Sequence, residues 1–247
     1  MDNSPSYNAY KKSPYKSKKH TPYFDTYDRL FSNYRNKEII FVEIGVLSGG
    51  SLFMWRDFFG PKARIIGIDL NPNAKKWEKE GFEIFIGSQS DSSFWKTFID
   101  DIGTVDIVLD DGGHQYVQQI ITCESLLENI NDGGMLVVED VHTSYMSGYG
   151  DKTISFTKYV KTWIDRINSR NSIFRGKYKD CRVWSIEIFE SIVAFKINRR
   201  SSELKSKAIN NGGISDEATD FGSKDSDQIN KNIKEIKSKI EKSFTIF

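Results

Sequence analysis

Short apolar runs alternate with longer amphipathic stretches along most of the chain. Ile39 to Val46, Arg64 to Leu70, Glu83 to Ile86, Val105 to Leu109 and Met135 to Val138 are brief and rich in β-branched residues. Runs of this kind, separated by helix-length segments, predict buried parallel strands joined by crossover helices. The intervening stretches Ser51 to Phe59, Asn73 to Lys79, Ser92 to Asp101 and Val117 to Asn129 carry helical patterns. Asp132-Gly133-Gly134 predicts a turn between the last of these and the fifth strand. Farther on, Lys158 to Ser169 reads as a helix, and Val183 to Phe189 with Ser191 to Ile197 as a closing antiparallel hairpin. Before the first strand, Tyr23, Phe24, Tyr27, Leu30, Phe31 and Tyr34 recur at helical spacing, which predicts a short amphipathic helix within His20 to Tyr34. The fold class that follows is α/β: a doubly wound, mostly parallel Rossmann-like sheet with an antiparallel C-terminal hairpin.

Composition sets the borders of that domain. A length of 247 residues suits one buried α/β core with appendages. Residues 1–19 interleave Lys11, Lys12, Lys16, Lys18 and Lys19 with Ser, Pro and Tyr before any apolar periodicity begins, and read as a disordered basic tail. The main domain is expected over 20–198, a polar linker over 199–226 and an amphipathic helix over 227–247. In that helix Ile229, Ile233, Ile236 and Ile240 form one stripe, which serves either docking on the chain's own domain or homo-oligomerisation. Thirty-five Lys and Arg against 34 Asp and Glu leave no global field for nucleic acid or a membrane surface, and no stretch approaches a membrane span. Cys123 and Cys181 lack a disulfide or zinc pattern; with no apolar signal core, a cytoplasmic protein is expected.

Candidate chemistry gathers at the carboxyl ends of the strands. After the first strand, Glu43-Ile44-Gly45-Val46-Leu47-Ser48-Gly49-Gly50-Ser51 is a glycine turn that lets a ligand approach the backbone and a helix N-terminus. Its spacing is not that of nicotinamide enzymes, and a purely structural turn is the alternative. Asp69 ends the second strand, where a carboxylate accepts both ribose hydroxyls or else caps the next segment. Ser88 and Gln89 end the third strand and serve either an adenine or the cap of the following helix. Asp110-Asp111-Gly112-Gly113-His114 follows the fourth strand and Glu139-Asp140 the fifth. If those strands are neighbours at ~4.8 Å, then Asp111, Glu139 and Asp140 come within reach of one ion, and an all-oxygen set suits Mg2+ or Mn2+; solvated strand-end acids are the alternative. His114 is placed to act as general base, or as a structural histidine on a carboxylate. His142 is a second candidate, and Tyr145 and Tyr149 in the following loop are candidates to cover an acceptor sugar.

Three motifs carry a resemblance: E-I-G-V-x-x-G-G-S-L from Glu43, D-D-G-x-H from Asp110, and V-V-E-D-x-H-T-S-Y from Val137 to Tyr145. On these, the run from about Lys19 to Phe195 resembles the bacterial macrolide-sugar O-methyltransferases of the macrocin and mycinamicin type, which are related to proteins labelled cephalosporin hydroxylase. The resemblance implies a class I methyltransferase fold, S-adenosylmethionine as donor, and magnesium at the acceptor hydroxyls of a sugar or glycoside. It implies Asp111, Glu139 and Asp140 as metal ligands, His114 as base, and Glu43, Gly45, Asp69 and Gln89 in the donor pocket, which Asp111 also borders. Gly113 stands where relatives often have serine, and the tail after Arg199 has no family counterpart. The large auxiliary domain of some relatives is missing, which directs the acceptor expectation to a surface polysaccharide or nucleotide-linked sugar. A metal-dependent oxidoreductase or hydroxylase component, and a non-catalytic nucleotide-binding module, are the other function classes the residues allow.

Overall fold

In the chain's computed structural model, residues 3–171, 180–214, 232–233 and 236–241 are described. Seven strands form one sheet: β1 (Ile40–Ile44), β2 (Arg64–Asp69), β3 (Glu83–Ile86), β4 (Val105–Asp110), β5 (Ile130–Val138), β6 (Ser185–Phe189) and β7 (Ile192–Lys196). Their spatial order is β3-β2-β1-β4-β5-β7-β6; the first five run parallel and β7 pairs antiparallel with both β5 and β6. The doubly wound sheet and its antiparallel hairpin are therefore borne out. The sheet order reverses direction beside β1, so the carboxyl ends of β1 and β4 splay apart and leave a crevice there.

Alternation within the buried strands supplies two cores, one on each face of the sheet. Phe41, Ile65, Ile107, Met135 and Val137 point to the side covered by α1 (Pro5–Lys12), α2 (Tyr23–Phe31) and α3 (Gly50–Phe59). Val42, Ile66, Val108, Leu136 and Val138 point to the side covered by α4 (Ser92–Ile102), α5 (Tyr116–Leu126) and α6 (Phe156–Asn168). Such two-sided burial is why these strands read as continuous apolar runs. The first core is dominated by aromatics: Trp55 is fully buried against Tyr27, Phe31, Phe41 and Phe59.

Three expectations differ from the structure. First, the basic N-terminal segment is not a disordered tail. Ser4 caps α1 by accepting the Tyr7 N–H, Ala9 is buried, and the Ser6 hydroxyl donates to the Phe24 carbonyl. Its order comes from tertiary contacts, with Tyr7 and Tyr10 packed on Phe24, which a reading of composition along the chain does not register. Second, β5 begins at Ile130, so Asp132-Gly133-Gly134 lies inside the strand. A register shift between Val105 and Ile107 absorbs the irregularity, and a side chain at Gly134 would strike the Asp106 carbonyl. Third, the compact unit runs past Asn198 to Ser206 through α7 (Arg199–Glu203). The Arg199 guanidinium donates to the Ile130 and Glu128 carbonyls and to Asp132.

The second unit begins at Lys207; there 207–214 has no regular structure and 236–241 is helical. Of its expected stripe, Ile233, Ile236 and Ile240 are exposed, and Ile229 lies outside the described residues, as do residues 215–226 of the expected linker. Among the described residues no helix is long and apolar enough to cross a membrane.

Truncating Trp55 to Ala should cost about 3–5 kcal/mol, because it empties the centre of the aromatic core and removes a hydrogen-bond donor. Urea unfolding of the two forms measures it, and a loss below about 1 kcal/mol would contradict this packing.

Candidate active site

The carboxyl edge of the sheet opens into a cavity of about 560 Å³. Its walls come from the turn after β1 (Gly45, Val46, Leu47, Ser48, Gly50, Ser51), from Asp69 and Leu70 after β2, and from Gly87 to Gln89 after β3. Asp111 to His114 after β4, Glu139 and Asp140 after β5, and Lys16 to His20 with Tyr23 complete it.

Gly45 has φ +93°, and a side chain there would strike the Asp111 backbone, so glycine is required for the first and fourth strand ends to meet. Gly49 turns at φ +81° against the Trp77 ring and is a packing glycine that does not line the cavity. Asp69 Oδ2 accepts the Val46 and Leu47 N–H groups at 2.8 and 2.9 Å, fixing the turn that the glycines allow, while Asp69 also faces the cavity. Leu47 and Leu70 are 86% and 72% exposed at its mouth, two apolar side chains left for a flat ligand to cover.

Two expected donor-pocket residues carry structural hydrogen bonds. Glu43 is fully buried and is not part of the cavity wall; its oxygens accept from Ser51 Oγ at 2.8 Å and Trp55 Nε1 at 3.0 Å. Burial pushes its carboxyl up to about 7 against the lowering pull of Lys19. Gln89 lines the cavity, but its amide donates to Asp110 and Thr122 and its oxygen accepts the Gly113 N–H at 2.8 Å. It therefore anchors the loop that presents His114.

The strand-end acids lie at two depths, and Glu139 is not in the set whose ligand atoms come together. Asp111, His114 and Asp140 each offer a ligand atom within 4.8 Å of the others. His114 Nε2 lies 3.5 Å from Asp140 Oδ2, and among the described residues the buried His114 Nδ1 has no hydrogen-bond partner. Both residues hold left-handed backbone, at φ +56° and +54°. Glu139 lies deeper, 1% exposed, accepting from Tyr27 Oη at 2.5 Å and from Lys19 Nζ at 3.0 Å. Burial, reinforced by Asp111, raises the Glu139 carboxyl to about 8 although Lys19 pulls it down. Burial alone would lower the Lys19 ammonium, but attraction from Asp111, Glu139 and Glu43 outweighs it and raises the group. One ammonium among three carboxyls leaves excess negative charge, which favours a proton on one of them.

Lys19, His20, Tyr23 and Tyr27 are site residues that the sequence reading missed. Tyr23 Oη donates to Asp140 Oδ1 at 2.5 Å. His20 Nε2 and His142 Nδ1 each lie 4.0 Å from that same oxygen. His20, Asp140 and His142 thus form a second set of ligand atoms within 4.8 Å. The available signal was the placing of Tyr23 and Tyr27 one helical turn apart, directly after Lys19-His20. His142 pairs with Ser191 Oγ, and neither it nor Tyr145 or Tyr149 lines the cavity.

Strand order, glycine turn and strand-end acids together define a class I methyltransferase fold, and a methyltransferase-domain family model matches residues 42–141. Among proteins of that class, the chain's relatives are sugar O-methyltransferases, in agreement with the resemblance carried by the motifs. It is 31% identical over 157 residues to the 8-demethyl-8-α-L-rhamnosyl tetracenomycin-C 2'-O-methyltransferase of Streptomyces olivaceus, covering 59% of this chain and 41% of that protein. It is 35% identical over 131 residues to the mycinamicin VI 2''-O-methyltransferase of Micromonospora griseorubida, covering 50% and 32%. The MycE methyltransferase of the mycinamycin biosynthetic pathway, solved with Mg and SAH, superposes with a TM-score of 0.67 at 27% identity, covering 90% of this chain and 58% of that one. The chain thus spans less than half the length of the two curated relatives.

Because its carboxyl is raised from 4.5 to about 7, Glu43 contributes stability that is full below pH 4.5 and is lost as pH climbs through 7. Glu43→Gln keeps the shape without the charge. Its stability relative to the parent should therefore improve by roughly 1–3 kcal/mol between pH 5 and 8, measured by urea unfolding at both values; a pH-independent difference would show that Glu43 is ionised throughout.

Proposed function

We propose that the protein is an S-adenosylmethionine-dependent, divalent-metal-dependent O-methyltransferase acting on a hydroxyl of a sugar or glycoside. One observation carries the reading: the glycine turn, Asp69 and the Asp111–His114–Asp140 cluster line a single cavity at the switch point of the sheet. The names of its relatives, which methylate sugars on tetracenomycin, mycinamicin and macrocin, support the acceptor class.

The residues present fit both groups. For the donor, the α3 N-terminus at Gly50 and Ser51 offers N–H groups to a carboxylate, Asp69 offers carboxylate oxygens to a ribose, and Leu47 and Leu70 offer apolar cover. For the metal, Asp111 and Asp140 supply oxygen ligands with Glu139 behind them, a set that suits magnesium or manganese. When bound, the donor supplies an electrophilic methyl group on a sulfonium, and the metal supplies a Lewis acid that acidifies a hydroxyl.

The chain's own part is alignment and proton handling. Asp110, Gln89 and the Gly113 N–H lock the loop that carries His114, so the imidazole is fixed beside Asp140. The His114 imidazole, 25% exposed with Nε2 beside Asp140, would take the acceptor's proton, and Asp140 would stabilise the imidazolium. Thr143 Oγ1, donating to the His114 carbonyl at 3.1 Å, ties this loop to the segment after β5.

Calorimetry tests the first step: S-adenosylmethionine and S-adenosylhomocysteine should bind in the micromolar range, while NAD and ATP should not. Absence of both sulfur ligands would sink the reading and make the His20–Asp140–His142 set, loaded with iron, the next site to examine. With an acceptor glycoside in hand, His114→Ala should lower methyl transfer by about 10² to 10⁴ with donor affinity unchanged; undiminished turnover would remove His114 from the base role.

A further inference from the structure

The inner half of the acidic cluster already holds a cation. Lys19 Nζ lies 2.7 Å from Asp111 Oδ2 and 3.0 Å from Glu139 Oε2, its side chain is 1% exposed, and it sits 5.7 Å from the centre of the Tyr27 ring. Tyr27 takes the other oxygen of Glu139, so both are engaged. A divalent ion that drew on Glu139 and Asp111 together would have to stand where this ammonium stands, and two cations at one pair of carboxylates repel strongly at low dielectric.

Lys19 is delivered by a segment outside the regular elements. Residues 13–22, between α1 and α2, include no regular element beyond a terminal turn and no buried residue, although the Lys19 side chain itself is enclosed. The segment lies directly across the glycine turn: Ser13 Oγ donates to the Gly50 carbonyl at 2.7 Å, and a side chain at Gly50 would strike the Tyr15 and Lys16 carbonyls. Tyr15 rests on Trp77 and Phe53, and Lys16 to His20 form one wall of the cavity. The N-terminal half of the strap is held by Ser13 and Tyr15 and by the Tyr10 hydroxyl on the Ser17 carbonyl, and the half that walls the cavity is held at its inner end by the buried Lys19 ammonium.

We propose that Lys19 is the resident counter-cation of Asp111 and Glu139, and that a divalent metal takes Glu139 only by displacing it, so that metal loading lifts the 13–22 strap from the donor cleft. The proposal rests on the metal-dependent reading above and adds its regulation: in the empty site Lys19 satisfies the inner carboxylates and holds the strap as one wall of the cleft, and loading frees that wall.

The test uses the full chain with Mn2+ alone as probe. Mn2+ affinity is read by electron paramagnetic resonance for the parent and for Lys19→Met. In parallel, trypsin cleavage of the Lys19–His20 bond, which requires the lysine side chain to leave its pocket, is followed by mass spectrometry. The variant should bind Mn2+ at least tenfold tighter, and saturating Mn2+ should speed cleavage of that bond in the parent several-fold. If the variant does not fold, the cleavage measurement on the parent decides. Equal affinities with unchanged cleavage would mean that metal and Lys19 coexist, overturning the displacement while leaving the metal reading intact. No Mn2+ on either form would overturn both.

Discussion

Parallel strands that end side by side bring their terminal carboxylates together, and this crowding of negative charge is the constraint around which the rest of the structure is arranged. Glu43, Asp110, Asp111, Glu139 and Asp140 stand at the ends of β1, β4 and β5, and most of them are buried or nearly so. A buried carboxylate without partners is costly, so each draws donors from a different part of the chain. Glu43 takes Ser51 and Trp55 of α3; Asp110 takes Gln89 and the Gly112 N–H; Glu139 takes Tyr27 of α2 and Lys19; Asp140 takes Tyr23. The helices on one face and the N-terminal segment are thereby fastened to the sheet through the same groups that would bind ligands.

This double duty divides the residues of the cleft into two kinds. Those whose polar atoms are consumed by the protein, Glu43 and Gln89, hold the shape of the turn and of the His114 loop. Those left with capacity toward the cavity, Asp69, Asp111, His114 and Asp140, are the ones that can act on a ligand. A motif can therefore match residue for residue while some of its positions, Glu43 among them, lie behind the cavity wall.

The parallel strands, crossover helices and closing hairpin were legible because strands buried on both faces write themselves as apolar runs, and the loops at their carboxyl ends stand out as the polar exceptions. The adjacency of β4 and β5 brings Asp111 and Asp140 together as that spacing led us to expect, while Glu139 turns inward to Lys19 and Tyr27 and His114 stands in its place. What escaped had no local signature. Lys19 is one lysine among several in a polar stretch, and only the distant carboxylates that bury it distinguish it from its neighbours. The early start of β5 was hidden by Asp132-Gly133-Gly134, whose turn-like composition serves a bulge and a close approach to Asp106. Helix α1 likewise depends on Phe24 and α3, which no window over residues 5–12 contains.

His114, Asp140 and Leu47 share a backbone conformation that side chains adopt reluctantly, at a cost on the order of 1 kcal/mol or more each. Glycine would sit at all three without strain. At Asp140, however, glycine would also forfeit the Tyr23 hydrogen bond that fastens α2 to the sheet, so relief of the bend and loss of the tether oppose each other. At His114 and Asp140 conformational ease and chemical capacity therefore pull in opposite directions, and the bend is held for what its side chain can do.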